Sequence, residues 1–434
     1  MARLTTFFIS LRSSLWFVPT LIVIGSAVLA VGLIEIDYRI GHRLLADLPR
    51  LFGAGAEGSR GMLSSIASSM ITVAGVTFSI TIVALSQASS QYSSRILRNF
   101  MRDRGNQAVL GVFLGIFTYC LLVLRSIRGG DEGVFVPSLS VFGGVVLAFV
   151  GIGFLIFFIH HAARSLQASS VIAGASAETR KTIDQLFPDI LQSTEAEPKV
   201  AEEIAGPLAE RSQIVIPAPG SGYIQAYDEE SLIELAAVHD VVLRLHSGVG
   251  EFAILDTPLV SVYARRPLSV ELVEDIQSAY SISSERTIEQ DPSFGIRQIV
   301  DIALKALSPG VNDTTTALTC VDHLTAINVQ LANRRIARPV IREDGELRII
   351  VRGPHFESFI EESFNEIRIS ARGNATVIGR LLQSLQSIAA MTDNETRKGL
   401  LRKHMSLLRV LAEETIDSDY DRARIRELYL DQAG

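Results

Sequence analysis

Met62-Leu-Ser-Ser-Ile-Ala-Ser-Ser-Met-Ile-Thr-Val-Ala-Gly-Val-Thr-Phe-Ser-Ile-Thr-Ile-Val-Ala-Leu-Ser86 is the stretch on which the reading of this chain turns. It holds no charged residue, and at about 1.5 Å per residue a helix of this length crosses a ~30 Å hydrocarbon layer. Its hydroxyls are patterned. Ser65, Thr72, Ser79 and Ser86 recur every seven residues, with Ser68, Gly75 and Ser89 beside them, so one helix face is a stripe of small and polar side chains. Ile66, Val73, Ile80 and Leu85 flank it. Two readings of the stripe stay open. Small residues let helices approach closely and hydroxyls bond across the contact. The same face also suits a hydrated pathway, within the bundle or around an oligomer axis.

Three more apolar stretches without Lys, Arg or Asp lie on either side, at residues 15–36, 107–124 and 134–159. In lipid a helix satisfies its own backbone hydrogen bonds, so residues 1–161 read as a four-span α-helical transmembrane domain with spans at 15–36, 62–86, 107–124 and 134–159. Val28 and Ala30 imitate a signal-peptide cleavage site, but the apolar run is long and more spans follow. Trp16 and Tyr38 bracket the first span as interface aromatics do. Arg3, Arg12, Arg95, Arg98, Arg102, Arg104 and Arg164 fall on one side if both termini are cytoplasmic, with Arg39, Arg43, Arg50, Arg60, Arg125 and Arg128 in the opposing gaps. Gly111 and Gly115, then Gly144, Ala148 and Gly151, are small-residue packing faces. Ionisable residues stand at the span ends, Glu35 on the first and His160-His161 on the fourth. A buried proton relay is not expected.

Beyond the spans the chain turns polar. Residues 162–200 read as a helical linker closed by Thr194-Glu-Ala-Glu-Pro198. Residues 213–263 carry short β-prone runs, Ile214–Pro217, Gly222–Gln225, Val241–Leu245 and Phe252–Leu255, around a helical insert near 231–238. The layout predicts a small β-barrel or sandwich similar to lipoyl and biotinyl domains. No lysine occurs between Lys199 and Lys305, so a swinging arm is excluded. Residues 264–434 read as a mostly helical cytoplasmic domain, interrupted by a hairpin around Glu343-Asp-Gly345. From 355 to about 432 three apolar stripes predict a bundle: Phe356, Phe359, Ile360 and Phe364; Leu381, Leu382, Leu385 and Ile388; Leu401, Leu407, Leu408 and Leu411. His404 reads as a surface residue. The fold class is thus a transmembrane bundle followed by an α+β tail.

The densest polar cluster of the tail is Arg286, Asp291, Arg297, Asp301, Asn312 and Asp313. A helix N-terminus in this region offers backbone N–H groups to an anion, and Arg286 and Arg297 add charge. Equally, Arg297 and Asp301 are four apart and suit an ion pair, and Asn312 or Asp313 suits a helix cap. Asp313, Asp322 and His323 have no diagnostic metal spacing, so no metal site is expected. Cys120 lies within a span and Cys320 alone in the tail, which fits a reducing compartment. A net charge of −7 gives no nucleic-acid footprint. No P-loop, dinucleotide fingerprint, zinc pair or nucleophile elbow occurs, so neither an enzyme nor a cofactor is expected.

Two motifs carry a likeness to a known family. One is Ser86-Gln-Ala-Ser-Ser-Gln91-Tyr-Ser-Ser-Arg95-Ile-Leu-Arg98-Asn-Phe100 after the second span. The other runs from Phe294-Gly-Ile-Arg297 through Ser308-Pro-Gly-Val-Asn-Asp313. On these the chain resembles, over nearly its full length, a bacterial family of predicted membrane proteins, domain of unknown function 2254. The resemblance implies a bacterial inner-membrane protein with four spans and a cytoplasmic tail, and it supplies no activity. The reading that follows is an oligomeric membrane channel or transport-type protein. The stripe lies at the path of an ion or small solute, and the tail assembles or regulates it. The alternative is a membrane-anchored scaffold or sensor whose tail binds a ligand or protein partner. Homo-oligomers and the lipid bilayer are the expected partners.

Overall fold

A computed structural model describes residues 16–40, 55–91, 103–128, 135–165, 167–190, 208, 211–336 and 339–430. The chain divides into two compact units, Met1–Ser170 and Val171–Gly434. Arg3, Arg12, Arg43, Arg50, Arg95, Arg98 and Arg102 lie outside the described residues. So do Leu15 and Val134, where two expected spans begin, and residues 92–100 of the first family motif.

The first unit is built on four helices long and apolar enough to cross a membrane: α1 (Phe17–Ile40), α2 (Ala56–Gln91), α3 (Arg104–Ser126) and α4 (Ser138–Ser165). All four match the expected spans, and each runs past the expected C-terminal end. α2 is the extreme case at 36 residues, about 54 Å of helix against a ~30 Å hydrocarbon layer. The apolar window marks what the bilayer needs; helix propensity carries the ends further. α3 is the central helix, with Phe113, Ile116, Tyr119, Cys120 and Val123 buried. Its Gly111 and Gly115 are packing positions inside one chain. A Cβ added at Gly111 would stand 2.8 Å from Ile22 Cδ1, and one at Gly115 2.5 Å from Ser26 Oγ, so α1 seats directly on this face. On α4, a Cβ at Gly144 would stand 2.7 Å from Leu63 of α2.

The second unit opens with α5 (Ala168–Leu186), which begins just before the boundary. A strand-rich region follows. It contains β1 (Ser212–Pro217), β2 (Gly222–Tyr227), α6 (Glu229–Val238), β3 (Val242–Leu245), β4 (Phe252–Ala253), β5 (Pro258–Ala264), α7 (Val270–Ser278) and β6 (Tyr280–Ser283). Then come α8 (Pro292–Ala306), α9 (Thr314–Ala332), β7 (Val340–Glu343), β8 (Glu346–Ile350), α10 (Phe356–Ser370), α11 (Ala375–Ala390), α12 (Glu395–Thr415) and α13 (Asp419–Leu430).

The expected barrel does not form, because no sheet closes. The strands make two open sheets, one of five strands ordered β1-β5-β3-β8-β7 and one of three ordered β4-β2-β6. Two physical reasons account for this. The β7–β8 hairpin joins the first sheet by a parallel pairing of Leu243 with Ile349, a contact no local pattern reveals. Helices also enter the core that the two sheets share, in which Ile224 of β2 and Tyr280 of β6 lie. Leu232 and Ala236 of α6 and Leu272 and Ile276 of α7 share one core with Ile216, Leu243, Val260 and Val262. The hairpin turn itself forms as expected, with Asp344 at φ 51° and Gly345 at φ 82°.

In the helical part, Phe356, Phe359, Ile360 and Phe364 of α10 and Leu381, Leu382, Leu385 and Ile388 of α11 are buried as the spacing predicts. On α12 the expectation needs two corrections. Leu407 is exposed at 39%, while His404 is 4% exposed and belongs to the core. The buried seam of α12 is Arg397, Leu401, His404, Leu408 and Leu411, repeating at three- and four-residue steps. A polar side chain in an apolar seam cannot be told from a surface one by residue type.

Candidate functional site

The face that α2 turns into the bundle is set by Leu63, Ala67, Met70, Ala74, Thr77 and Ala84, all buried. The stripe of Ser65, Ser68, Thr72, Gly75, Ser79 and Ser86 begins two residues later and keeps the same step. At about 100° per residue it therefore lies nearly opposite. All six of its residues are exposed on the first unit. A Cβ added at Gly61 or Gly75 would meet nothing within 4 Å. Ile71, Val76, Phe78 and Val83 are exposed around it. The stripe is not a channel between the four spans of one chain. It looks away from them.

Two of its hydroxyls, and that of neighbouring Ser69, donate to the helix itself. Thr72 Oγ1 donates to the Ser68 carbonyl at 2.7 Å and Ser79 Oγ to the Gly75 carbonyl at 2.9 Å. Ser69 Oγ donates to the Ser65 carbonyl at 2.8 Å. Such back-bonds remove most of the cost of a hydroxyl in lipid. Acceptor lone pairs remain, so the face can still meet water or another helix. The side chain of Ser89 is outside the described residues.

Two polar clamps that the sequence did not flag tie the bundle at opposite ends. Asp37, near the end of α1 and 9% exposed, accepts from Leu139 N at 3.0 Å, Ser140 N at 2.9 Å and Ser140 Oγ at 2.6 Å. It thereby caps the N-terminus of α4 from a neighbouring helix. Asp37 lies one residue past the expected first span. At the other end Asp103 caps α3 through Gly105 N at 2.8 Å and pairs with His161 of α4. His161 also stacks on Phe157 at 5.2 Å.

In the second unit the polar cluster is divided between the two ends of α8. At the N-terminal end Asp291, 4% exposed, accepts from Phe294 N at 3.2 Å and pairs with Arg286 at 2.8 Å. The anion on this helix terminus is the protein's own carboxylate. Burial pushes Asp291 above the usual carboxylate range, against the pull of Arg286 and of the backbone N–H groups of α8. Gly250, at φ 87°, allows its loop to lie against Asp291 and Arg286, where any Cβ would collide with the carboxylate. Further along α8, Arg297 bonds Asp301 at 2.7 Å and Glu366 of α10, with Glu362 at 3.9 Å. Arg297 holds Glu366 below its ordinary range, while burial raises Glu362.

Asn312 and Asp313 sit past the C-terminal end of the same helix. Asn312 takes the left-handed turn at φ 49°. Asp313 caps α9, accepting from Thr316 N at 3.0 Å and Thr316 Oγ1 at 2.6 Å, and these bonds hold its carboxyl below the usual range. Asp322 pairs with Arg380 at 2.8 Å. Among the described residues no group of three His, Cys, Asp or Glu side chains is placed to hold a metal ion. A cavity of about 390 Å³ opens between the first turns of α10 and α12, beside Phe356 and Arg397. The Arg397 guanidinium in its wall donates to the carbonyls of Leu331, Ala332 and Arg334.

Four apolar helices bound into one bundle, followed by a mixed helix-and-sheet tail, define a multi-span membrane protein. The chain matches the family described as predicted membrane protein (DUF2254) over residues 12–387, and it belongs to that family. It is similar to an uncharacterized protein of Mycobacterium tuberculosis and to one of Mycobacterium bovis. Each is 33% identical over 423 residues, covering 96% of this chain and 79% of the relative. No solved structure matches it.

Proposed function

We propose that this protein is an oligomeric channel or transport-type protein of the bacterial inner membrane, in which the outward faces of α2 from several copies surround a shared axis. The observation that carries the reading is the position of the stripe. Hydroxyl and glycine positions repeat along α2 nearly opposite the face that packs in the bundle, and no described residue covers Gly75. A polar face of this kind is a poor match to acyl chains and a good one to water or a second helix. Hydroxyls lining such an axis replace part of an ion's or small solute's hydration without burying a charge. In this reading both termini are cytoplasmic, the tail assembles or regulates the pore, and no catalytic step is assigned.

A second reading has its own support. Because Thr72 and Ser79 already donate to their own helix, the seam needs no water, and it suits dry packing between copies of a membrane-anchored scaffold or sensor. Both readings require α2 to meet α2. A Thr72→Cys variant in a Cys120→Ala, Cys320→Ala background should form intermolecular disulfides under mild oxidation in native membranes. Absence of cross-links at Ser65, Thr72 and Ser79 alike would remove the oligomer axis from the account. Given cross-links, potassium or chloride flux from liposomes carrying the native chain separates channel from scaffold.

A further inference from the structure

α12 carries a second seam beside its buried one. Lys403, Leu407, Val410 and Glu414 follow one another at steps of four, three and four residues. The first three stand one position before the buried His404, Leu408 and Leu411. At about 100° per residue the second seam therefore runs along the flank of the helix, with the spacing of a coiled-coil contact. Leu407 and Val410 are 39% and 45% exposed, and Lys403 and Glu414 are exposed as well. The other flank is taken by α13, where Arg409 lies over the Tyr429 ring and Glu413 pairs with Arg426. Lys403 stands 3.6 Å from Glu357 of α10, with both side chains more than half exposed, so that pairing is weak and easily exchanged.

The order of this seam makes it its own complement. It reads cation, apolar, apolar, anion, and the midpoint between Leu407 and Val410 is also the midpoint between Lys403 and Glu414. A two-fold axis through that point sets Leu407 of one copy against Val410 of the other, and Lys403 of each against Glu414 of the other. A parallel pairing would instead set lysine on lysine and glutamate on glutamate. The antiparallel arrangement also opposes the two helix dipoles. Gly399 adds an independent observation. It lies inside α12, where glycine weakens a helix, and a Cβ added there would meet nothing within 4 Å. The same axis sets Gly399 against Ser418 of the other copy, where the chain leaves α12 for α13, so a second backbone approaches the position that lacks a side chain.

We propose that the tails of two copies of this chain pair through α12, antiparallel about a two-fold axis midway between Leu407 and Val410, with Lys403 of each copy paired to Glu414 of the other. Four apolar side chains and two ion pairs make a small contact. It rests on the oligomer reading above for its strength, because chains gathered in one membrane assembly present the seam to each other at high effective concentration. The occupant is a second copy and not an unrelated helix, because the charges at the two ends of the seam match the seam itself.

The test is disulfide cross-linking of the full-length chain in native membranes, in a Cys120→Ala, Cys320→Ala background. In the proposed dimer the two copies of position 403 lie about 16 Å apart along the axis, too far for a disulfide, while 403 of one copy lies beside 414 of the other. Lys403→Cys chains alone and Glu414→Cys chains alone should therefore stay uncrosslinked, and the two co-expressed should cross-link about tenfold more than either. A Leu407→Cys, Val410→Cys chain should also cross-link. Adding Lys403→Glu should lower its yield about fivefold, and adding Glu414→Lys on top should return it to within about twofold. The proposal is overturned if the co-expressed chains cross-link no more than each alone, if Lys403→Glu leaves the yield unchanged, or if Glu414→Lys fails to restore it. The Thr72→Cys cross-link reads α2 separately: its loss with the α12 cross-link retained removes the membrane axis alone, and the reverse removes this proposal alone.

Discussion

Gly75 and Gly115 are both mid-helix glycines in the membrane unit, and the account assigns them opposite roles. Replacing a helical glycine with alanine stabilises the helix by about 1 kcal/mol when nothing else changes. At Gly75 nothing else changes among the described residues, because an added Cβ has none of their atoms within 4 Å. At Gly115 the added Cβ would stand 2.5 Å from Ser26 Oγ and 3.3 Å from Ser26 Cβ, so α1 has to move away from α3. Overpacking of this kind costs about 1–3 kcal/mol. The two alanine variants should therefore differ by about 1–3 kcal/mol in unfolding stability, with Gly115→Ala the weaker. Titrating the purified protein from mild detergent into dodecyl sulfate, followed by circular dichroism, measures the difference. Gly75→Leu extends the test to assembly. It should leave the monomer intact and break the oligomer seen by native mass spectrometry, since a second helix can no longer approach. The reasoning fails if Gly75→Ala loses as much stability as Gly115→Ala, or if Gly75→Leu assembles like the native chain.

Asp37→Ala removes a cross-helix cap and leaves Leu139 N, Ser140 N and Ser140 Oγ without their acceptor. It should cost about 2–4 kcal/mol in the same titration, with Asp37→Asn intermediate. His404 is buried and its Nε2 has no partner, so His404→Leu should match or exceed the native stability. Burial, with Lys403 and Arg368 nearby, depresses the pKa of His404 against the opposing pull of Glu361 and Glu357. The unfolded chain therefore binds the proton first. Native stability should fall as pH drops below about 6.5, and His404→Leu should flatten that slope when thermal unfolding is followed across pH. Arg297→Met leaves Asp301, Glu362 and Glu366 facing one another. Because Glu366 is half exposed, the loss should be about 1–2 kcal/mol rather than that of a fully buried pair, and it should shrink at acid pH.

The membrane unit was legible because its signal is local. Long uncharged runs and a seven-residue hydroxyl repeat both fall within single helices, so the four spans and the stripe could be placed without knowing any partner. Which way the stripe faces was not legible. That depends on Leu63, Ala67 and Ala74 finding α3 and α4, a choice between two faces that both carry small residues. The tail followed the same rule. The Asp344-Gly345 turn and the stripes of α10 and α11 are read from neighbours in the chain. The sheet order is not, because β3 meets β8 across α8 and α9. The Asp291 and Arg297 sites were recognised as charged positions, but Glu362 and Glu366, which decide the electrostatics around Arg297, lie on α10, beyond the reach of a motif.

The central claim is that the outward seam of α2 meets water in the assembled protein. The direct measurement is the reactivity of single cysteines with a membrane-impermeant thiol reagent in intact membranes, in a background lacking Cys120 and Cys320. Cysteines at Ser65, Thr72 and Ser79 should be labelled, while cysteines at Ala67 and Ala74 on the inward face stay protected. Protection of the outward three to the same degree as Ala67 and Ala74 would contradict a hydrated pathway.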